Sequence, residues 1–236
     1  MRPSATTPNT LPRWPAAHRS ILCRHMEVRR SLVFLVALLA TPLACSSSTE
    51  PKRVVGIGDS LMLLAAPNIQ QALASDHEVT IIAKNGRRID EMLPPLRRAL
   101  REEAPVEAVI ANLGTNNVLQ GATYTEALDD FDRLITLTKS VPCVILTTVS
   151  TRVDSWRGNS VGAEINAKIQ DVRNSDPRQY QVADWDAAVR SPAGFATLLA
   201  NPEGISDGVH ENATAGRQWF ADQYADALSR CPSGSP

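Results

Sequence analysis

Residues 53–61 read RVVGIGDSL, and this stretch decides the fold. Its apolar run, Val54–Ile57, is interrupted only by glycine and shows no alternation of polar and apolar side chains. Strands that are buried on both faces have this composition, whereas strands with one wet face alternate. Gly58 ends the run, and a polar pair, Asp59 and Ser60, follows it. The stretch therefore predicts a buried parallel strand that delivers a serine to the edge of a sheet.

Four further strands are predicted from similar apolar runs. They lie at residues 78–83 (EVTIIA), 106–113 (VEAVIANL), 141–149 (VPCVILTTV) and 180–185 (YQVADW). Amphipathic helical patterns separate these runs. This alternation predicts an α/β protein, a three-layer α/β/α sandwich with a five-stranded parallel sheet covered by helices on both faces.

The helices between the strands are marked by capping signals and prolines. Thr123 and Glu126 have the spacing of a capping box, and apolar residues follow them at helical spacing. The pair Pro94 and Pro95, together with Pro105, is predicted to bracket another helix. A final helix is predicted near the end of the chain.

Polar segments follow the predicted strands at the points where each strand ends. Residues 58–60 (GDS) follow the first strand, residues 85–86 (NG) the second and residues 114–117 (GTNN) the third. Residues 207–210 (DGVH) precede the final helix. Open parallel sheets bind their ligands at the carboxyl ends of the strands. We therefore expect these four segments to lie around one site.

Their side chains match the needs of acyl transfer. Ser60 is a nucleophile that needs a base, and His210 is the residue type best suited to remove its proton. Asp207, three residues before the histidine, can fix its tautomer and stabilise its charged form. The backbone N–H groups of Ser60 and Gly86 and the side-chain amide of Asn116 can stabilise a tetrahedral oxyanion. We predict a catalytic triad and an oxyanion hole from these residues.

In these four segments and their order, the chain resembles the SGNH/GDSL hydrolase family, as an exported bacterial esterase- or lipase-like member. The resemblance covers roughly residues 53–230. It implies a flavodoxin-like three-layer fold and the residue roles given above. One position departs from the family, because Asn117 stands where the family commonly has aspartate. Local support of Asn116 by this neighbour is therefore not carried over from the family.

Other frameworks fit the sequence less well. Each segment taken alone can be a simple turn, but four such segments in this order favour a site. Ser60 is not followed by the second glycine of a G-x-S-x-G elbow, and Leu61 stands where a dinucleotide fingerprint needs glycine. The four histidines show no metal-ligand spacing. No metal and no organic cofactor are expected.

The main functional hypothesis is a serine esterase that hydrolyses a short acyl ester through an acyl-enzyme. The substrate is expected to be a small-molecule, glycan or lipid ester, and the protein is expected to be a monomer. The same triad could instead pass the acyl group to an alcohol, as in an acyltransferase. A non-catalytic cell-envelope binding lipoprotein and a flavodoxin-like nucleotide binder are alternatives from other classes of protein.

Substrate recognition is less defined by the sequence. Arg87 and Arg88 follow Gly86 and could meet an anionic group, although such residues more often form surface ion pairs. Trp156 lies in the segment after the fourth strand, where it could stack on a sugar or close the core. The loops are short, which favours a shallow cleft.

The first 45 residues are predicted to lie outside the folded domain. Arg29 and Arg30 precede an apolar run, Leu32–Ala40, and small residues lead from it to Cys45. This pattern is typical of a secretory signal and is too short for a membrane-spanning helix. Cys45 before a serine run resembles a bacterial lipoprotein signal, in which the cysteine carries the lipid. We expect an exported protein, either a cell-envelope lipoprotein or a secreted one.

These signals set the expected domain boundaries. Residues 46–52 are predicted to be a linker, and residues 53–231 the hydrolase domain. The second methionine, Met26, stands directly before the signal-like segment and is the expected start of translation, but Met1 remains open. A lipid anchor would be the only membrane attachment.

The charge of the domain argues against a nucleic-acid partner. The first 45 residues hold six arginines and one acid of the chain's 24 basic and 25 acidic residues, which leaves a net charge of −6 for the remainder. Nucleic-acid surfaces need clustered lysine and arginine. No nucleic acid is expected among its ligands.

The cysteines predict one disulfide. Cys23 and Cys45 lie in the N-terminal segment, so Cys143 and Cys231 remain for an exported domain. Cys143 is near the start of the fourth strand, at the edge opposite the site. The final helix runs from the site back to that edge, where it brings Cys231 close to Cys143. We predict a bond between these two residues.

Overall fold

The computed structural model describes residues 51–204 and 206–232. The predicted signal segment, the lipidation site Cys45 and the boundary after residue 45 lie outside these residues and stay predictions. In the described part of the chain, no helix is both long enough and apolar enough to cross a membrane.

Five parallel strands form the central sheet, as predicted. They are β1 (Lys52–Gly58), β2 (His77–Ala83), β3 (Ala108–Asn112), β4 (Cys143–Thr147) and β5 (Tyr180–Ala183), in the spatial order β2-β1-β3-β4-β5. All four strand pairs are parallel. Every residue of β3 and β4 is buried, because helices cover both faces of the sheet.

The helices lie in two layers. They are α1 (Ser60–Leu73), α2 (Ile89–Glu102), α3 (Thr115–Leu119), α4 (Tyr124–Thr138), α5 (Arg152–Arg157), α6 (Val161–Ser175), α7 (Trp185–Arg190), α8 (Pro192–Gly194) and α9 (Ala215–Ser229), with a π-helical turn at Phe195–Leu199. One apolar core joins α2, α4 and α6 to the first face of the sheet. A second core joins α1, α7 and α9 to the other face. The described residues thus form the predicted α/β/α sandwich.

The last helix is fixed to the sheet by aromatic packing and by one buried hydroxyl. Trp185, Trp219, Phe220 and Tyr224 form a chain of ring contacts with centroids 4.6 to 5.9 Å apart. The hydroxyl of Tyr224 accepts a hydrogen bond of 3.0 Å from the side-chain amide of β3 residue Asn112. It lies 2.9 Å from the hydroxyl of Thr147 at the end of β4. A buried tyrosine needs such partners, so they set the position of α9.

Several predicted boundaries were wrong. Strands β3 and β4 are shorter at both ends than the predicted runs 106–113 and 141–149. Pro94 and Pro95 lie inside α2, which begins five residues earlier at Ile89. Its early start is stabilised because the Arg88 N–H donates to the side chain of Glu91 (2.9 Å), and because Ile89 is buried. These interactions outweigh the hydrogen bonds that the prolines remove.

The fifth strand also ends before its predicted boundary. Trp185 is the first residue of α7, because the side chain of Asp184 accepts a hydrogen bond from Ala187 N–H (3.1 Å) and caps the helix. Trp185 is fully buried, which is why the apolar pattern continues past the end of the strand.

The predicted cysteine pairing is present in the structure. Cys143 begins β4 and Cys231 lies two residues beyond α9, with a Cα–Cα distance of 5.6 Å and a disulfide between them. This distance is in the usual range for disulfides. The bond joins the end of α9 to the edge of the sheet opposite the serine.

We predict that this disulfide stabilises the domain by roughly 4 kcal/mol in the chain-entropy model, because it closes a long loop. Urea unfolding of the oxidised wild type and of Cys231→Ser measures the difference. Reductant should lower the stability of the wild type to that of the variant and leave the variant unchanged. Equal unfolding midpoints without reductant would contradict the prediction.

Candidate active site

Ser60, His210 and Asp207 form one continuous chain of hydrogen bonds. The Nε2 atom of His210 lies 2.8 Å from the Ser60 hydroxyl, and Nδ1 lies 2.6 Å from Asp207 Oδ2. Ser60 and His210 are 150 residues apart in the chain. The structure therefore brings the three predicted triad residues together in the order that the sequence analysis assigned.

The turn before α1 gives Ser60 its position. Ser60 is the first residue of α1 and follows β1 by only one residue, Asp59. A side chain at Gly58 would place its Cβ 2.1 Å from the Cβ of Met62. Only glycine allows the helix to start so close to the strand. The hydroxyl consequently stands at the N-terminal end of α1, where helix N–H groups have no partner within the helix.

Asp207 is held by the backbone that follows it. Its Oδ1 atom accepts hydrogen bonds from the N–H groups of Val209 (2.9 Å) and His210 (2.8 Å). Partial burial alone raises the pKa of Asp207, but hydrogen bonds from the His210 ring and from these backbone groups outweigh it and lower the pKa. The carboxylate is thus ionised and fixed beside the imidazole.

A cleft of about 410 Å³ opens at the serine. Ser60, Gly86, Asn116 and His210 all border it, so the structure also brings together the three predicted oxyanion donors. The remaining lining residues are Leu64, Asn85, Thr115, Leu119 and Val209. The cleft combines one polar side around the serine with an apolar wall, as small-molecule sites commonly do.

Asp59 is a residue of the site that the sequence analysis missed. It is fully buried, and its Oδ2 atom accepts a hydrogen bond of 3.0 Å from the side chain of Asn116. Its Oδ1 atom accepts from Leu61 N–H at 3.0 Å and caps α1. Burial raises the pKa of Asp59 to about 6, against the lowering effect of these two hydrogen bonds and of His210. The contact orients the Asn116 amide. The sequence signal that could have revealed this residue is the position of an aspartate directly before the start of a helix.

Glu211 is a second missed residue, directly after the histidine. It is only 4% exposed, and within the described part of the chain neither carboxyl oxygen has a hydrogen-bond partner other than the residue's own backbone N–H. Burial raises its pKa to about 8, with a further rise from the nearby Asp59 and Asp207 and an opposing effect of Arg217. A carboxyl group in this setting is protonated below that pH.

The structure decides between the alternatives for the two arginines. Arg87 forms an ion pair with Glu91, and Arg88 lies 3.5 Å from both Asp90 and Asp130. Both side chains therefore have acidic partners, which favours the interpretation as ion pairs over an anion-binding role.

Trp156 does not close the core. It lies on α5, in the segment after the fourth strand, and 53% of its surface is exposed. A Cβ on Gly208 would come within 2.6 Å of its ring. Gly208 also has a positive φ of 75°, so glycine is needed there on both counts. The indole consequently lies flush against the backbone between Asp207 and His210.

Comparison with known proteins identifies a relative in sequence. The chain is similar to YrhL of Bacillus subtilis strain 168, a candidate peptidoglycan O-acetyltransferase, with 27% identity over 161 residues. That match covers 67% of this chain, which spans about a fifth (21%) of the relative's length. No family profile matches the chain.

Solved structures show the same architecture. The C-terminal catalytic domain of the Streptococcus pneumoniae peptidoglycan O-acetyltransferase A, with a methylsulfonyl adduct, matches with a TM-score of 0.59 and 21% identity, over 76% of this chain and 93% of that one. A G-D-S-L family lipolytic protein from Veillonella parvula matches with a TM-score of 0.58 and 17% identity, over 76% and 99% of the two chains. The fold of this chain is the one that these solved structures share, so the expected three-layer flavodoxin-like fold is confirmed.

We predict that Glu211 makes the folded protein less stable as the pH rises from about 4.5 to about 8. The folded state keeps the proton in this range while the unfolded state releases it, so stability falls by up to about 1.4 kcal/mol per pH unit. Glu211→Gln should remove this slope and gain stability relative to the wild type as the pH increases. Urea unfolding at pH 4.5, 6 and 8 measures it.

The exposed glutamate Glu203 provides the matched control. Glu203→Gln should follow the wild-type stability at every pH. A Glu211→Gln variant with the same pH dependence as the wild type would contradict a protonated, buried Glu211.

Proposed function

We propose that this protein is a serine hydrolase that cleaves short acyl esters through an acyl-enzyme. The observation that carries the proposal is the unbroken hydrogen-bond chain from Asp207 through His210 to Ser60, which ends in a cleft bordered by Gly86 and Asn116. Serine, histidine and carboxylate in this arrangement activate a nucleophile wherever they occur, on unrelated folds.

In the proposed mechanism each of these residues takes one step. The Ser60 hydroxyl attacks the ester carbonyl while Nε2 of His210 takes its proton. Asp207 keeps Nδ1 protonated, so that Nε2 is free to accept, and then stabilises the imidazolium. The carbonyl oxygen becomes an oxyanion that is stabilised by the Ser60 and Gly86 N–H groups and by the Asn116 amide. His210 returns the proton to the leaving alcohol, and a water molecule hydrolyses the acyl-enzyme by the same steps in reverse.

The size of the cleft limits the length of the acyl group that it can hold. Its apolar wall consists of Leu64, Leu119 and Val209, and its volume of about 410 Å³ is at the small end for ligand pockets. A short acyl chain such as acetyl fits this wall, whereas a long chain would extend into solvent.

The alcohol portion of the substrate is proposed to be a sugar of the cell envelope. Two similar proteins are named for peptidoglycan O-acetylation, whose acceptor is a glycan. Trp156 offers a half-exposed indole directly beside the turn that holds Asp207 and His210. Aromatic faces pack well against the apolar faces of sugars. Export with a lipid on Cys45, still a prediction, would hold the domain near such a substrate.

Acyl transfer to an alcohol is the second candidate, favoured by the same two relatives. The exposure of the site supports hydrolysis instead. The side chains of His210 and Asp207 are 36% and 56% exposed, so water reaches the acyl-enzyme freely. A transferase has to exclude water or bind its acceptor tightly.

The first test is turnover of p-nitrophenyl esters of rising chain length by the wild type and by Ser60→Ala. The wild type should hydrolyse the acetate fastest, and the variant should lose at least about 10³-fold in kcat, since only oxyanion donors and binding remain. A fluorophosphonate probe should label the wild type and not the variant.

Unfolding curves of both proteins serve as the control, because Ser60→Ala removes a single hydroxyl at the edge of the cleft and should leave the fold unchanged. A wild type that neither turns over esters nor reacts with the probe would support the non-catalytic binding alternative.

A second test addresses the sugar. Trp156→Ala should reduce kcat/KM for O-acetylated chitooligosaccharides by roughly 10-fold, a loss of about 1.4 kcal/mol of stacking. It should leave p-nitrophenyl acetate turnover unchanged. Equal losses on both substrates would instead make Trp156 a support of the Asp207 turn. Product analysis with added, unacetylated oligosaccharide separates transfer from hydrolysis.

A further inference from the structure

Two predicted oxyanion donors lie on different parts of the chain and have to be held together. Gly86 belongs to the loop after β2, whereas Asn116 lies in α3 after β3. One direct link joins these parts, because the side-chain amide of Gln120 donates to the Gly86 carbonyl at 2.7 Å. Gln120 is at the exposed end of α3, so water competes for this bond.

A buried link runs through Asn117. Its side chain is fully buried, and its Oδ1 atom accepts a hydrogen bond of 3.0 Å from Ile89 N–H, three residues beyond Gly86. Its Nδ2 atom donates to Asp130 Oδ2 in α4 at 3.1 Å. Asn117 therefore ties the Gly86 loop to α3 and α4 at once, next to Asn116 in the chain.

Asp130 is fixed as an acceptor by its surroundings. It is 4% exposed and forms ion pairs with Arg133 on its own helix and with Arg88 at the start of α2. Its Oδ1 atom accepts from Arg133, and its Oδ2 atom accepts from Asn117 and Arg88, so both oxygens act as acceptors. Position 117 thus has to offer a donor to Asp130 and an acceptor to Ile89 at the same time, which a neutral amide does.

We propose that Asn117 and Asp130 are positioning residues for the oxyanion hole, which set the distance between the Gly86 N–H and the Asn116 amide. The pair does not touch the substrate and acts through the two loops. The inference rests on the proposed function, since it assigns the loops a role in transition-state stabilisation. It also explains the asparagine at position 117: an aspartate there would place two carboxylates against each other in a buried site, where repulsion and desolvation act together.

Asn117→Asp, of almost identical shape, is the direct test. The variant should lower kcat for p-nitrophenyl acetate by roughly 10- to 100-fold with little change in KM, because a displaced donor is lost mainly in the transition state. Asn117→Asp with Asp130→Asn exchanges the two groups and restores one amide and one carboxylate. The double variant should regain most of kcat.

Hydrogen exchange of residues 84–92 gives a readout independent of activity. Exchange of this segment should accelerate in Asn117→Asp and slow again in the double variant. If Asn117→Asp does not fold, Asp130→Ala replaces it, since this change also removes the acceptor of Asn117 and should lower kcat at constant KM.

Asn166→Asp is the matched control. Asn166 is a partly buried asparagine whose side chain forms two hydrogen bonds of 2.7 Å, both to the backbone of Val149. The change should lower thermal stability but retain kcat. A double variant that folds but keeps the low kcat would overturn the proposal, and so would an Asn117→Asp variant with wild-type kcat. A wild type without turnover or probe labelling would instead count against the proposed function, and the exchange data would still report on the link.

Discussion

In the middle of the sheet, β1 pairs in parallel with β3, in a register that sets Gly58 beside Asn112 at the carboxyl edge. One further backbone hydrogen bond of 3.2 Å, from Asp59 N–H to the Asn112 carbonyl, extends this pairing into the turn. Ser60 follows β1 by two residues and Asn116 follows β3 by four, so both lie at the same edge of the sheet. The side chain of Asn116 reaches the Asp59 carboxylate there. The cleft, the serine and the amide donor all depend on this register, because a shift would separate them.

Three carboxyl groups surround the histidine, and their environments differ. Asp207 is largely open to solvent, donors surround it, and its pKa is lowered. Burial raises the pKa of Asp59 to about 6 and that of Glu211 to about 8. Of these three carboxyl groups, that of Asp207 is hydrogen-bonded to the imidazole, whereas those of Asp59 and Glu211 are buried. The same functional group thus serves as orienting anion, as amide support and as neutral filling, according to its burial and its hydrogen bonds.

The sequence predicted the sheet and the places of Ser60 and His210, because burial on both faces produces continuous apolar runs and reactive residues follow strand ends. It did not predict the contacts between Asn117 and Asp130, which lie 13 residues apart on different helices and follow no periodicity. The start of α2 was missed for a related reason. The N–H of its first residue, Ile89, donates to the side chain of Asn117. This is a tertiary contact, which local helix propensity does not reflect.

The hydroxyl and the imidazole of the site sit at opposite ends of the described domain in sequence, since α1 is its first helix and α9 its last. These two helices pack side by side and share one apolar core. Closing a loop of this length costs entropy that only the docked α9 recovers. A chain whose last helix is not docked therefore lacks its serine–histidine pair. A reactive nucleophile arises only once α9 has packed against α1.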